Sequence, residues 1–439
     1  MTDGLAAVIL AAGEGTRMKS ATPKHLHPLL GGRLADWAID AVRPLGPKPL
    51  VVVTAPQTAD AFDGVEVVVQ PKPLGTGDAV RVAREALADA ERVLVASGDH
   101  PLLTADVLRA LVEQQQSSGA AATVLSFEPP DPRSYGRIVR DGHGALRAIV
   151  EAPDATKDEL AIGEVNASLY VFEASKLWPA LDRLEPKNVQ GELYLTDAVR
   201  LLVDDGDRVG IFKAPDPTII EGVNTRAELA DAAAALRARV NAEHMLVGVT
   251  IVDPQTTWIE RDVTLEPDTT IHPFTILRGR THVARGAEIG PHVVAIDAEI
   301  GPYVLVGPFC YLRPGTVLGA GSKAGTFVEL KNTRVGERTK VPHLSYLGDA
   351  EVGADTNVGA GAITANYPHE AGRPKGKTKI GRNVRTGIHN GFQAPVEIGD
   401  DAWIAGGSYI TEDVPPESLA GFPPRQETKE GYLRGKRDN

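Results

Sequence analysis

The stretch Leu10-Ala11-Ala12-Gly13-Glu14-Gly15-Thr16-Arg17-Met18, followed closely by Pro23-Lys24, decides the fold of the first half of this chain. The apolar run 6–10 at its start predicts a buried first strand of a parallel sheet. Gly13 and Gly15 then let the backbone approach a bulky anion and offer it N–H groups. Arg17 and Lys24 bring two positive charges within reach of the same loop. A glycine loop that follows a first strand and carries fixed cations suits a nucleoside triphosphate.

The loop does not fit the two commonest phosphate-binding motifs. Met18 stands where a dinucleotide fingerprint needs its third glycine, and no Gly-Lys-Ser/Thr follows as in a Walker loop. The complete string resembles the signature of sugar-phosphate nucleotidyltransferases. That resemblance implies that residues 10–13 and 15 wrap the base and the triphosphate, that Arg17 contacts phosphates and that Lys24 contacts the phosphate of the incoming sugar. The loop alone is also compatible with an ordinary strand–turn–helix connection that binds nothing.

Length, charge and cysteine use limit the function classes. A chain of 439 residues predicts two domains. The formal charge of −12 argues against a nucleic-acid or anionic-membrane surface. The single cysteine, Cys310, excludes a disulfide framework and is typical of a reducing compartment. With no signal peptide and no apolar run of membrane length, we expect a cytoplasmic enzyme that binds neither nucleic acid nor membranes.

The first half alternates between strand-like and helix-like segments. Apolar runs at 50–53, 65–69, 92–96 and 121–126 are strand candidates, and 34–42, 78–88 and 104–116 are helix candidates. This alternation predicts a doubly wound, Rossmann-like α/β layer. Ligands of such a layer lie at the carboxyl ends of the strands.

Two motifs fall at those strand ends. Gln70 and Leu74-Gly75-Thr76-Gly77 predict a tight turn and a helix N-terminus with a free hydroxyl, for which a simple capped helix is the alternative. Gly98 and Asp99 follow the apolar run 92–96. A carboxylate at this position suits Mg²⁺, although a strand-end Asp is usually only a cap. In nucleotidyltransferases the first motif reads a uracil or thymine base. The resemblance also makes Asn224, in Glu221-Gly222-Val223-Asn224, the second Mg²⁺ ligand beside Asp99.

Three further strings resemble the uridyltransferase branch: Tyr135-Gly136-Arg137-Ile138, Ile149-Val150-Glu151 and Glu164-Val165-Asn166. The resemblance implies that Gly136, Glu151 and Asn166 bind an N-acetylated sugar, and that the segment 190–197 lies near that site. Ala167 stands where the family often has Thr, so one sugar contact is expected to be absent. The attacking sugar phosphate is already ionised, so positioning and electrostatics suffice without a protein nucleophile.

The second half carries an internal repeat. After a helical stretch that starts at Arg226, aliphatic residues followed by glycine recur, and several neighbours lie six residues apart. These pairs are Ile289-Gly290, Ile300-Gly301, Val306-Gly307, Val335-Gly336, Val352-Gly353, Val358-Gly359, Ile380-Gly381 and Ile398-Gly399. Such a hexapeptide repeat predicts an all-β parallel β-helix. Known hexapeptide families wind left-handed and usually form trimers with active sites between subunits, although the period alone does not give the hand.

Polar strings interrupt these coils and argue against a helix that only assembles trimers. They are Leu312-Arg313-Pro314-Gly315, Phe327-Val328-Glu329-Leu330-Lys331, residues 343–350, residues 357–361, and Asn366-Tyr367 with the Lys- and Gly-rich excursion 368–377. With the first half, they resemble the bifunctional N-acetylglucosamine-1-phosphate uridyltransferase/glucosamine-1-phosphate acetyltransferase family over the whole chain. The resemblance makes His343 the general base for the sugar amine, a task that suits a neutral imidazole.

The same resemblance assigns the remaining residues of the acetyltransferase site. Arg313, Lys331 and Lys375, or alternatively Lys377, would hold the sugar phosphate. Tyr346, Asn357, Asn366 and Tyr367 would hold the sugar and orient the thioester, with Asn366 facing the oxyanion and Asn366, Tyr367 and Gly406 on the acetyl-coenzyme A side. Ile388 replaces a family Ser in the coenzyme wall. Pro423 stands where the family has an Arg, for which Arg425 is the candidate substitute, so part of the coenzyme-side set departs from the family pattern.

The sequence therefore predicts a uridyltransferase domain at 1–225, a linker helix at 226–246 and a hexapeptide-repeat acetyltransferase domain at 247–439. The expected enzyme acetylates glucosamine 1-phosphate with acetyl-coenzyme A. It then couples N-acetylglucosamine 1-phosphate to UTP with Mg²⁺, as a homotrimer, toward cell-wall peptidoglycan and lipopolysaccharide. One alternative is a nucleotidyltransferase whose β-helix only assembles the trimer or holds a regulator. A regulatory scaffold with two silent sites is the other, and the retained Arg17, Lys24, Asp99 and Asn224 argue against it.

Overall fold

The fold is that of a computed structural model, which describes residues 4–132, 134–368, 372, 374–421 and 426–432. The chain divides into two compact units, Met1–Leu236 and Arg237–Asn439. Each unit has its own architecture, the first with helices on a sheet and the second with stacked short strands. In the described part of the chain every helix is too short or too polar to cross a membrane.

The first unit is built on a nine-stranded sheet with a small two-stranded hairpin (β2 and β3) beside it. Its strands are β1 Leu5–Ala11, β2 Pro28–Leu29, β3 Gly32–Arg33, β4 Leu50–Thr54, β5 Glu66–Val69, β6 Arg92–Ser97, β7 Ala122–Phe127, β8 Arg137–Arg140, β9 Leu146–Val150, β10 Val165–Glu173 and β11 Val209–Lys213. The main order is β11-β7-β10-β6-β1-β4-β5, and β8 joins β9 to β10. β1 pairs in parallel with both β4 and β6, so the loops that follow these strands share one edge of the sheet.

Helices cover both faces of this sheet. They are α1 Leu34–Val42, α2 Thr76–Val82, α3 Ala105–Ser118, α4 Lys157–Leu160, α5 Ala174–Asp182, α6 Leu195–Asp204 and α7 Arg226–Leu246. One core packs α2, α5 and α6 against the sheet, and the other packs α1 and α3 against its opposite face. This confirms the doubly wound α/β layer.

Two details differ from the sequence expectation. The sequence predicted a parallel sheet, whereas β10, which was not among its strand candidates, runs antiparallel to β6 and β7. The helix expected at 78–88 ends at Val82, since the Ala83 N–H bonds to the Val80 carbonyl and the chain continues in three-residue turns.

The second unit is a coil of short parallel strands arranged as three faces. The first face comprises Thr250–Ile251, Thr270–Ile271, Glu288–Ile289, Leu305–Val306, Lys323–Thr326 and Lys340–His343, and after a bridge at Asn357 it continues with Arg385–Thr386, Trp403–Ile404 and Leu419–Ala420. The second face comprises Trp258–Ile259, Ile276–Arg278, Val294–Ile296, Tyr311–Leu312, Glu329–Lys331, Tyr346–Gly348, Ile363–Ala365, Gly391–Gln393 and Tyr409–Ile410. The third face comprises Thr264–Leu265, His282–Val283, Glu299–Ile300, Val317–Leu318, Arg334–Val335, Ala350–Val352, Thr378–Ile380 and Val396–Ile398.

The aliphatic residue of each repeat points into the coil and stacks on the next. On the first face Ile271, Ile289 and Val306 follow one another and are buried, as the hexapeptide spacing predicts. This architecture fits the left-handed parallel β-helix of the hexapeptide-repeat class. The sequence predicted an excursion at 368–377, and the described residues between Ala365 and Thr378 form no strand of the coil, whereas residues 369–371 and 373 lie outside the described part.

The corner between the first and second faces carries a ladder of stacked rings that the sequence did not predict. Phe274, His292, Phe309 and Phe327 succeed one another with ring centroids 4.7, 4.7 and 5.3 Å apart. The three phenylalanines are about half exposed, at 48–56% of their surface. We call these four residues the aromatic ladder.

Candidate functional site

The glycine loop at the end of β1 closes over Lys24. Gly15 has φ 61°, and a Cβ there would lie 2.3 Å from Cβ of Lys24, so only glycine fits. Lys24 opens a single turn of 3₁₀-helix, Lys24–Leu26, and is 8% exposed. The loop and the buried lysine therefore form one packed unit.

Four predicted residues meet in one charged cluster. The Lys24 ammonium donates to Asp99 Oδ2 and, at 2.7 Å, to Asn224 Oδ1. Arg17 donates through Nη2 to the same Asn224 Oδ1 at 2.9 Å and through Nη1 to Ser134 Oγ at 3.1 Å. Asp99 comes from the end of β6 and Asn224 from the start of α7, so the fold joins distant segments here.

The charge state of Asp99 follows from its neighbours. Burial alone would raise the pKa of this carboxyl, but the Lys24 ammonium, followed by His100 and His25, holds it well below its usual range. His100 donates from Nδ1 to the carbonyl of Ile220 at 2.7 Å, and its Nε2 lies 3.4 Å from Asp99 Oδ1. Asp99 is therefore an anion at neutral pH.

Asp99 and Asn224 have the chemistry that Mg²⁺ requires. Both offer hard oxygen donors, and both already contact the same cationic group, the Lys24 ammonium. Asp99 Oδ1 is buried and accepts no hydrogen bond from the described residues, so it has a lone pair available. The two side chains fit the metal, whereas no cluster of three or more His, Cys, Asp or Glu that could hold one occurs in the described ranges.

The predicted base-reading motif lies at the start of α2. Gln70 is buried and donates from Nε2 to the Gly75 carbonyl at 3.1 Å and to Asp78 Oδ2 at 2.9 Å. The Thr76 hydroxyl accepts from the Leu195 N–H at 3.0 Å. The expectation of a free hydroxyl was therefore wrong, because α6 packs onto this turn and uses it.

The three predicted sugar-contact residues come together beside β10. The Asn166 N–H donates to the Gly136 carbonyl at 2.8 Å, and the Glu151 carboxylate lies beside Gly136. Glu151 accepts from the Thr196 hydroxyl at 3.1 Å, and burial raises the pKa of its carboxyl. Asn166 donates to the Tyr170 hydroxyl at 2.6 Å. A cluster of polar groups around an oriented carboxylate suits hydroxyl and amide groups.

A second cluster lies in the β-helix, where the second face turns into the third. Lys331 ends a strand of the second face, and the nearby Lys375 ammonium lowers the pKa of Lys331. Lys375 Nζ also lies 4.9 Å from the centroid of the Tyr367 ring. Arg313, one coil earlier, donates to Glu329 at 2.8 Å and lies close enough to Lys331 to lower its pKa too. Three cations converge here, as an anion-binding site requires.

Asparagine and tyrosine side chains border these cations. The Asn366 amide donates to Asp349 Oδ2, and Asn332 donates to Asp349 Oδ1 at 2.6 Å. A Cβ on Gly348 would lie 2.3 Å from the Tyr346 hydroxyl and 3.0 Å from Nδ2 of Asn366. The absence of a side chain at Gly348 therefore lets these two groups approach each other.

The remaining predicted residues lie elsewhere on the coil. His343 ends a strand of the first face and is exposed, and Asn357 bridges Lys340 and Arg385 on that face. Gly406 lies next to Ile388, which is 59% exposed. Pro423 and Arg425, the other departures noted in the coenzyme wall, lie outside the described residues.

Sequence reasoning missed several supporting residues. Glu228 accepts from the backbone N–H of Asn224 at 2.6 Å, and Ser134 contacts Arg17. His25 is buried beneath Gly13 and Gly98, and Asp349 holds Asn366. Glu228 had a usable signal, because a Glu three residues after Thr225 is a capping pattern. The others depend on long-range packing.

Comparison with known proteins gives one family match and several full-length relatives. Residues 7–199 match the family described as MobA-like NTP transferase domain. The chain is similar to "Bifunctional protein GlmU" of Streptomyces coelicolor, with 47% identity over 98% of this chain and 94% of that protein. Proteins of the same name from Streptomyces avermitilis (45% identity, 98% and 94%) and Mycobacterium tuberculosis (44%, 98% and 92%) are also similar.

Proposed function

The chain belongs to the GlmU family of bifunctional proteins, and from this premise we propose that it makes UDP-N-acetylglucosamine in two steps. The β-helix acetylates glucosamine 1-phosphate with acetyl-coenzyme A. The α/β unit then transfers UMP from UTP to N-acetylglucosamine 1-phosphate and releases pyrophosphate. The alternative of a single nucleotidyltransferase activity is not favoured, because the relatives carrying the bifunctional name match both halves.

In the uridyl transfer an oxygen of the sugar phosphate attacks the α-phosphorus of UTP, and the bond to the β-phosphate oxygen breaks. Arg17 and Lys24 neutralise part of the charge on the two anions, and Asp99 and Asn224 would hold the metal. Bound Mg²⁺ would draw the two phosphates together and stabilise the charge that develops between them. Gly13 and Gly15 allow the backbone to approach the triphosphate.

The remaining residues of the α/β unit provide selectivity. Gln70, Gly75 and Thr76 line the end of the sheet where a base would lie, and Gln70 Nε2 is already committed to Gly75 and Asp78. Gly136, Glu151 and Asn166 form the polar cluster proposed for the N-acetyl sugar.

The observation that carries the assignment of uridyl transfer is the convergence of Lys24 and Arg17 on the oxygens of Asp99 and Asn224.

In the acetyl transfer the sugar amine attacks the thioester carbonyl, the C–S bond breaks and coenzyme A leaves as the thiol. His343 takes the proton from the attacking amine. Arg313, Lys331 and Lys375 bind the sugar phosphate, and Tyr346 and Asn357 bind the sugar. The Asn366 amide stabilises the oxyanion, with Tyr367 and Gly406 on the acetyl-coenzyme A side.

We assign the boundaries 1–225, 226–246 and 247–439 to the uridyltransferase domain, the linker helix and the acetyltransferase domain, and a homotrimer to the assembly. The half-exposed rings of the aromatic ladder support the homotrimer, because a continuous apolar edge is typical of a subunit interface. The single, buried cysteine supports a cytoplasmic location.

A paired assay on the wild-type protein tests this proposal. Acetyl-coenzyme A with glucosamine 1-phosphate should release free thiol, and UTP with N-acetylglucosamine 1-phosphate and Mg²⁺ should release pyrophosphate. Pyrophosphate without thiol would instead support the single-activity alternative and would assign Ile388 a cost in coenzyme binding.

A further inference from the structure

Both side chains proposed as metal ligands are engaged by positively charged donors, although Asp99 Oδ1 accepts no hydrogen bond from the described residues. The Lys24 ammonium contacts Asp99 Oδ2 and lies 2.7 Å from Asn224 Oδ1. Arg17 Nη2 donates to the same Asn224 oxygen at 2.9 Å. A cationic side chain therefore lies between the two residues that would hold the cation.

The fold holds this ammonium firmly in place. The Lys24 side chain is only 9% exposed, and its Cβ lies beneath Gly15, where no other residue would fit. Asn224 is oriented by the Glu228 carboxylate, which accepts from its backbone N–H at 2.6 Å. The Lys24 side chain is thus held by packing, and the Asn224 backbone is held by a hydrogen bond.

The conflict between the ammonium and a divalent cation lies at Asn224, whose one side-chain oxygen already accepts from both Lys24 and Arg17. Mg²⁺ binds oxygen at about 2.0–2.1 Å and requires near-octahedral geometry, so it cannot join this oxygen to Asp99 Oδ1 while the ammonium stays between the two side chains. Two positive charges that close would also repel strongly in a site this poorly exposed to water. Entry of the metal therefore requires Lys24 to find another anionic partner.

We propose that Lys24 and the divalent cation compete for Asp99 and Asn224, so that the protein holds the metal tightly only when phosphate groups draw the Lys24 ammonium away. This inference rests on the metal site of the proposed function and adds a rule about when that site fills. Because coupling between two ligands is reciprocal, the metal also raises the affinity for the phosphates that withdraw Lys24.

Binding of Mn²⁺ alone, without nucleotide, tests the competition. Free Mn²⁺ is measured by electron paramagnetic resonance for the wild type, for Lys24→Met, for Lys24→Arg and for Lys19→Met. We expect Lys24→Met to bind Mn²⁺ at least about tenfold more tightly than the wild type, because its apolar chain leaves Asp99 uncompensated. Lys24→Arg keeps the charge and should remain weak. Lys19→Met removes an exposed lysine of the same loop and should match the wild type.

Thermal unfolding of each variant without metal checks that the fold persists. If Lys24→Met melts too early to be studied, Arg17→Met serves in its place, because it removes one of the two donors from Asn224 and should tighten Mn²⁺ binding by a smaller factor. Mn²⁺ should also raise the melting temperature of Lys24→Met more than that of the wild type.

The double variant Lys24→Met/Asp99→Asn separates this inference from the proposed function. Loss of the tight site in the double variant supports both. Equal affinity of the wild type and Lys24→Met, with Asp99→Ala inactive in uridyl transfer, overturns the competition and leaves the function standing. Undiminished binding in the double variant overturns both, because the ion then lies away from Asp99.

Discussion

The two candidate sites compensate their charges in different ways. In the α/β unit Lys24 is paired with Asp99 and Asn224, Arg17 also contacts Asn224, and the Lys24–Asp99 pair is largely buried. In the β-helix the Lys375 ammonium lies against Lys331 and lowers the pKa of Lys331, and the carboxylate of Asp349 opposes this effect. The first site is thus assembled before any anion arrives, whereas the second is a cationic surface that an anionic ligand would complete.

The candidate sites also differ in how much of the machinery one chain brings together. The cluster proposed for the phosphates and the metal, which comprises Arg17, Lys24, Asp99 and Asn224, meets within the first unit. In the second unit His343 is exposed at the end of the first face, whereas the cations lie at the far edge of the second face. This separation favours an acetyltransferase site that needs a neighbouring copy, as a trimer would supply.

The largest expected effect separates the two sites completely. Asp99→Ala should lower pyrophosphate release by about 10³-fold or more, because the carboxylate proposed for the metal is lost and Lys24 is left unpaired. Thiol release by the same preparation should be unchanged. Normal Mg²⁺-dependent uridyl transfer by this variant would remove Asp99 from the metal site.

The reciprocal variant should produce the opposite pattern. His343→Ala should lower thiol release by roughly 10²- to 10³-fold, the range expected when a general base is removed. Pyrophosphate release from UTP and N-acetylglucosamine 1-phosphate should stay at the wild-type rate. An equal loss of both activities would mean that the substitution damages the fold, and the role of His343 would then lack support.

The fold was largely readable from the sequence, because its signals are local. Each signal predicts the structure of its own segment. These signals are the apolar run of β1, the alternation of strands and helices in the first half, and the inward aliphatic residues such as Ile289 and Val306. The direction of β10 was not readable, since a buried apolar run is the same in either sense. The sequence also did not predict the aromatic ladder. Its rings lie at corners outside the hexapeptide pattern, and they come into contact only when successive coils stack.

The candidate residues were named from motifs, but their partners were not. The sequence assigned Lys24 to a phosphate, whereas the structure pairs it with Asp99 and Asn224, which lie 75 and 200 residues further along the chain. Thr76 was expected to have a free hydroxyl, and α6 uses it. Side-chain pairing between distant segments depends on packing that no local pattern records.

A smaller effect should sharpen the contrast in charge compensation. Lys331→Met should raise the KM for glucosamine 1-phosphate about tenfold in the thiol-release assay, because one of the converging cations is lost. The KM for acetyl-coenzyme A should stay constant. Lys379→Met, an exposed lysine of the third face, is the matched control. The same rise in the control would attribute the effect to general surface charge.

A substitution in the aromatic ladder tests the neighbouring copy. Phe309→Asp places a charge among the stacked rings and should dissociate the assembly, which light scattering after size exclusion would detect. Thiol release should fall by roughly tenfold while pyrophosphate release changes less, since burial of an unpaired charge in an apolar interface is strongly unfavourable and the acetyltransferase site would lose its neighbouring copy. An intact assembly in this variant would show that copies meet along another surface.

The smallest expected effect concerns Cys310, whose burial raises the pKa of its thiol to about 11. The native protein should react negligibly with a disulfide reagent at pH 8, because almost none of the thiol is ionised or accessible. Full reaction should appear on unfolding in guanidinium. Rapid labelling of the native protein would contradict the tight packing of the β-helix. If Cys310 does not react, the thiol-release assay has no background from the protein.

One time course tests the account most directly. Wild-type protein is given glucosamine 1-phosphate, UTP and Mg²⁺, acetyl-coenzyme A is added later, and thiol and pyrophosphate are followed together. We predict little pyrophosphate before the addition, and afterwards thiol release followed, after a lag, by an equal amount of pyrophosphate. Rapid pyrophosphate release before acetyl-coenzyme A is added, or no thiol after it, would contradict two sites that act in this order.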